Sequence, residues 1–181
     1  MYDWTFSDAT VSITGSGQLT TADSLDATSF NGSGYDITSI SGTITGTRGI
    51  EAVSGLVGGN PGYGTGNGQP PKIITPDGAF YYDNILYTSS NSDFGALLDN
   101  SGLLFSTSDH VEVNIFGNSS TDYGYASSIL GGADYDHNYG SGATFTLAEV
   151  PEPASMALIG SGLCGLGLIR RRLAPRLQTS T

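Results

Sequence analysis

Along most of the chain, apolar and polar residues alternate one for one. In "MYDWTFSDAT" the aromatic residues Tyr2, Trp4 and Phe6 stand at every second position. In "ATVSITGSGQL" Val11, Ile13 and Leu19 share parity, with Gly15 and Gly17 on the same face. "LLFSTSDHVEVNIFG" sets Leu103, Phe105, Val111, Val113 and Ile115 against His110, Glu112 and Asn114, and "ATFTLAE" sets Phe145 and Leu147 against Thr144 and Thr146. A period of two is the signature of a strand with one face on a core and the other in water. The parity slips once, in "YDITSISGTITG", where Tyr35 and Ile37 are odd and Ile40 and Ile44 even. One extra residue near Ser39 restores the register, so a β-bulge or corner is predicted there. "AFYYDNILYTSS" reads as a further strand, with Tyr81, Ile85 and Tyr87 on one face. No helical stripe of useful length precedes residue 150. The pattern predicts an all-β, antiparallel domain over residues 1–149, a β-sandwich or jelly roll.

Two segments break the alternation. "GGNPGYGTGNGQPP", Gly58 to Pro71, carries six Gly and three Pro in fourteen residues and reads as a surface loop. "SITGSG" and "SISGTITG" resemble each other only as far as two Gly/Thr-rich strands would. The second break is abrupt. Val150-Pro151-Glu152-Pro153 is followed by Ala154 to Ile169, sixteen residues without a charge, and then by Arg170, Arg171, Arg172 and Arg176. As a helix those sixteen residues span roughly 24 Å at ~1.5 Å per residue. That is short of a hydrocarbon core about 30 Å thick, a deficit that snorkelling arginines make up. A sandwich has nowhere to bury such a helix, and Gly160, Gly162, Gly165 and Gly167 suit a membrane helix better than a soluble one. The positive-inside rule keeps the arginines in the cytoplasm and places the domain across the membrane. Residues 150–181 are therefore a tail with a single short hydrophobic helix.

Charge sharpens the division. Of the 17 acidic residues only Glu152 lies beyond residue 150, and the only bases up to that point are Arg48 and Lys72, so this part carries −14. A domain so acidic is repelled by phosphate backbones, which excludes nucleic acid as a partner. The ten Tyr, seven Phe and one Trp, set in β-branched runs, argue for a folded core and against disorder. The single cysteine, Cys164, lies in the apolar tail, so no disulfide forms within the chain. Residues 1–10 have neither a basic start nor an apolar run, while the tail makes sense only on an exported protein. An in-frame extension of about 20–35 residues upstream of Met1, carrying an export signal, is therefore expected.

Catalytic signals are few, and no catalytic residue is assigned. His110 and His137 are the only general bases near neutral pH, and His110 reads as an ordinary surface residue beside Glu112. There is no G-x-S-x-G elbow, and zinc requires more His and Cys than the chain has. One constellation has cation chemistry: Asp134, Asp136 and Asn138 alternate in "ADYDHNYGSG", and such a turn can direct three oxygens at calcium. It departs from the helix-flanked calcium loop at Tyr139 and Phe145, and the alternative is a hairpin loop with local hydrogen bonds. Tyr123, Tyr125, Tyr135 and Tyr139 surround it, an arrangement that sugar-binding surfaces use.

The order Val150-Pro151-Glu152-Pro153, apolar run, arginine cluster resembles the C-terminal sorting signal called PEP-CTERM. The resemblance covers residues 150–172. It implies a Gram-negative producer of exopolysaccharide, a partner enzyme of the exosortase family of membrane transpeptidases, and a temporary inner-membrane anchor. A periplasmic ectodomain would then pass to the cell surface after processing near Pro-Glu-Pro. Pro151 and Pro153 fit that role, since they oppose both helix and sheet pairing and keep the junction open. "SISGTITG", "YDNILY" and "LLDNSGLLFS" are similar to the small β-rich ectodomains of such proteins. The expected function is that of a non-enzymatic cell-surface or matrix protein in an exopolysaccharide or biofilm setting. The alternative is a lectin-like module, with calcium at Asp134, Asp136 and Asn138 as its cofactor.

Overall fold

The computed structural model describes residues 1–26, 34–46, 48–58, 82–87, 97–129 and 135–151, with the backbone alone at 26, 129 and 135–141. Two compact units are separated at residue 149/150. Among the described residues of the first are nine strands: β1 (Tyr2–Asp8), β2 (Ile13–Asp26), β3 (Gly34–Gly46), β4 (Gly49–Leu56), β5 (Ile85–Tyr87), β6 (Leu103–Thr107), β7 (Val111–Ser119), β8 (Asp122–Ile129) and β9 (Tyr135–Glu149). All pairings are antiparallel, in the order β2-β1-β9-β8-β7-β6-β4-β3, and β2 pairs β3 to close the ring. The result is an eight-stranded barrel, with β5 added to β3 at its Gly34–Asp36 end.

The all-β, antiparallel expectation holds, and the sandwich or jelly roll is corrected to a closed barrel. Alternation is the same in both architectures, because each strand has one face inward. Closure is decided at the β2–β3 seam. Gly17 is in register with Gly42, and a Cβ on Gly17 would lie 1.9 Å from the Ser41 carbonyl oxygen and 2.5 Å from the Gly42 Cα. Side chains there would hold the two strands apart. The inward glycines also make room for Trp4: a Cβ on Gly15 would lie 2.9 Å from the indole ring, whose Nε1 donates to the Ser41 carbonyl at 3.0 Å. The faint likeness of "SITGSG" and "SISGTITG" thus marks two strands paired through their glycines.

The predicted bulge is real. Thr20 pairs with Ser39 and Thr21 with Ile37, so Thr38 is the extra residue and both Ile37 and Ile40 reach the core. The barrel interior is filled by Trp4, Phe6, Ile13, Leu19, Ile44, Leu103, Phe105, Val113, Ile115, Tyr123 and Phe145. Aromatic pairs cross it, with centroids 6.1 Å apart for Trp4–Phe105, 5.9 Å for Phe6–Tyr125 and 5.7 Å for Tyr123–Phe145. Side chains alone can fill the interior of an eight-stranded barrel. Among the described residues they do so, which turns attention to the barrel surface, its ends and the tail.

One expectation about β7 needs correction. The alternation places its outward residues Glu112 and Asn114 in solvent, yet they are 2% and 4% exposed. A second apolar cluster of Leu104, Phe116, Ala126 and Tyr82, with Val57 packed against it, lies on the outside of β6, β7 and β8. The stretches around Val57 and Tyr82 therefore roof this part of the barrel, and polar residues beneath a roof are buried. In β5, likewise, all three residues are buried, and Leu86 joins the barrel core. Tyr81 and most of the Gly58–Pro71 loop lie outside the described residues.

Candidate functional site

Among the described residues, three places stand out for their polar groups. The first is one end of the barrel, where β1 runs into β2. Asp8, fully buried, holds that turn by accepting from the backbone N–H of Thr10 at 2.9 Å. Beside it a cavity of about 30 Å³ is lined by Arg48, Glu51, Tyr125 and Ser127 among apolar neighbours. That volume takes a water or two and no organic ligand. Glu51 is 8% exposed and accepts a hydrogen bond from the Thr107 hydroxyl at 2.5 Å. β9 begins at the same end, with Asp136 in register with Ser127 and Asn138 with Tyr125. Two of the three candidate calcium ligands thus stand at known register positions on β9, while Asp134 and all three side chains lie outside the described residues. Among the described residues no group of three His, Cys, Asp or Glu could hold a metal.

The second place is a buried network under the roof. Asp83 and Asp99, 1% and 0% exposed, share the single hydrogen of the Tyr87 hydroxyl, which lies 3.2 Å from each. The other oxygen of each carboxylate takes backbone N–H groups: Ile85 at 3.1 Å on Asp83, and Ser101 at 2.8 Å and Gly102 at 3.1 Å on Asp99. Asn84, with a left-handed φ of 55°, accepts from the Leu104 N–H at 2.8 Å. These bonds fasten residues 82–87 and 97–102 to the barrel wall, so the network holds the roof in place. Sequence reasoning missed it, because an Asp in "YDNILY" or "LLDNSG" looks like any turn residue; only tertiary pairing buries it. Tyr87→Phe keeps the ring and removes the shared donor. It should destabilise the domain by about 1–3 kcal/mol, the cost of depriving buried acceptors of a partner, read as a lower urea midpoint with an unchanged slope.

His110 does not sit on a strand face as expected. It is exposed in the turn between β6 and β7, with φ 61° and its N–H bonded to the Thr107 carbonyl at 3.1 Å. His137 is in register with Ala126 on β8, and its side chain lies outside the described residues. A groove of about 720 Å³ opens where β3 and β4 part, lined by Asp36, Thr38, Ser39, Ser54 and Leu56.

The third place is the end of the sheet. β9 pairs with β1 up to Glu149, which is in register with Tyr2. Val150 is half-buried, Pro151 is exposed, and neither belongs to a strand. Paired structure therefore stops one residue before Val150-Pro151-Glu152-Pro153. Comparison with protein families matches residues 149–172 to the PEP-CTERM protein-sorting motif. The chain carries a PEP-CTERM sorting signal. No curated protein and no solved structure matches the chain. The PEP-CTERM signal implies export, membrane association of the C-terminus and processing by an exosortase. Glu152, Pro153 and the arginines Arg170, Arg171, Arg172 and Arg176 lie outside the described residues. Among the described residues no helix is long and apolar enough to cross a membrane.

Proposed function

We propose that this protein is a non-enzymatic surface or matrix component: an acidic barrel delivered outside the cytoplasm by its PEP-CTERM tail. Ala154–Ile169 serves as its temporary membrane anchor. The observation that carries the reading is the coincidence of boundaries. The last strand ends at Glu149, and the sorting motif begins at the same residue. Barrel and tail are thereby separable in sequence, as a domain and its removable address must be. A closed barrel suits life outside the cell for a further reason: it has no unpaired sheet edge along its ring to recruit other strands. The acidic surface also keeps copies apart. Exopolysaccharide is the setting in which such a component would act.

The test is one of sufficiency. Residues 150–181 are fused to an unrelated exported protein, and its location is compared with that of the full chain in a host containing an exosortase. The fusion should follow the full chain into the same fraction. A fusion that stays in the periplasm as a soluble protein, while the full chain is sorted, would refute the tail as the address.

A further inference from the structure

The outer face of β9, β1, β2 and β3 presents hydroxyls in an ordered array. Register aligns Thr146, Thr5, Ser16 and Thr43 across the four strands, and Thr144, Ser7, Thr14 and Thr45 in the next row. All eight are exposed. Neighbouring strands lie about 4.8 Å apart and successive same-face residues about 7 Å apart, so the rows form a grid fixed by the ladder. Thr5 and Thr146 bond each other at 2.7 Å; the other six make no side-chain hydrogen bond to a described residue. A depression of about 300 Å³ lies among Thr5, Thr14, Ser16, Thr43 and Thr45. Neither row contains a charge, although the domain carries −14. Carboxylates flank the grid at Asp3, which accepts from Gln18 at 3.1 Å, and at Asp122, which accepts from the Gly142 N–H at 2.8 Å.

The chemistry of the grid selects its partner by elimination. Its eight residues include no large apolar side chain, and the one that borders them, Ile50 in register with Thr45 and 76% exposed, is too little to drive a protein or lipid interface by burial. It has no cation to attract phosphate or sulfate, and no carboxylate to hold a metal. What it offers is hydroxyls, each one donor and two acceptor lone pairs, interleaved with threonine methyls at a fixed repeat. A chain of sugar rings offers the same alternation of hydroxyl and C–H. Acidic glycans are repelled by the domain as a whole. We propose that this grid is the contact surface for an extended, neutral polysaccharide. The inference names a ligand class for the surface role proposed above. It rests on the barrel alone, so it stands or falls independently of the tail.

Affinity electrophoresis of the full chain in non-ionic detergent tests it. Gels contain hydroxyethyl cellulose as the neutral glucan, alginate as the acidic one, or no polymer. The native chain should be retarded by the glucan and should run in alginate as in the empty gel. The combined variant Thr14→Val, Ser16→Ala, Thr43→Val, Thr45→Val keeps the strand-forming shapes while removing four hydroxyls, and should bind at least about ten-fold more weakly. Ser16→Arg, which fills the middle of the grid, should do the same. Asn118→Ala, exposed near the end of β7, should bind as the native chain does. The near-UV signal of buried Trp4 reports folding, and if the combined variant lacks it, Ser16→Arg decides. Absence of retardation in the glucan, retardation only in alginate, or equal retardation of native chain and folded grid variants would overturn the proposal.

Discussion

Gly42→Ala should lower the melting temperature of the barrel by on the order of 10 °C, the largest stability effect expected from adding so little. Gly42 has φ +137°, and its Cβ would fall 2.1 Å from the Ser16 carbonyl oxygen and 2.7 Å from the Gly17 Cα. Both obstacles are backbone, so no side chain can swing aside. The conformation costs about 1–3 kcal/mol for a residue with a Cβ, and forced separation of packed elements typically costs another 1–3 kcal/mol. A total of about 3–4 kcal/mol converts to roughly 10 °C for a domain of this size. Gly49 provides the control. Its φ is +102°, but nothing lies within 4 Å of its Cβ position, so Gly49→Ala isolates the conformational cost and should shift melting by less than half as much. Equal shifts for the two variants would mean that close approach at the β2–β3 seam does not hold the barrel shut.

Replacing Arg170, Arg171, Arg172 and Arg176 together by serine should convert a membrane-retained chain into one found mostly outside the membrane fraction. The sixteen-residue apolar run is a marginal anchor by length, so retention depends on the charge at its C-terminal end. Each arginine costs roughly 2.5–3.5 kcal/mol at the bilayer centre, and a cluster of four makes full translocation prohibitive. Glutamate at the same positions should not restore retention, because acidic residues contribute little to orientation. The measurement is cell fractionation of a chain carrying an export signal, in a strain without an exosortase. Unchanged retention of the serine variant would show that the arginines are not the stop.

The inward residues of β1, β2, β7 and β9 were legible from parity alone, and the bulge was placed within one residue, at Thr38 against an expected Ser39. These features are local: each follows from the period of two and from the need to bury one face. Closure was not legible, because it depends on Gly17 meeting Gly42 from a strand some 25 residues away, and a glycine does not announce its partner. Burial of Glu112 and Asn114 escaped for a related reason. Their strand has the pattern of a half-exposed element, and only the roof formed by Val57 and Tyr82 removes the water. The hydroxyl grid lies between these extremes. Thr144 and Thr146 were visible as outward residues, but the alignment of hydroxyls into rows across four strands is a property of register. The sorting motif at residues 149–172 was readable because its information is linear: a proline-flanked acid, an apolar run and a basic cluster stand in that order and need no tertiary partner.

We propose that the tail is a removable address on a finished barrel. The most direct test is the intact mass of the chain, carrying an export signal and recovered from hosts with and without an exosortase. With the enzyme, the recovered protein should end near Pro151–Pro153 and lack the mass of the apolar run and the arginines. Without it, the protein should extend to Thr181. A full-length mass from both hosts, with the chain sorted to the same place, would show that the tail is not removed.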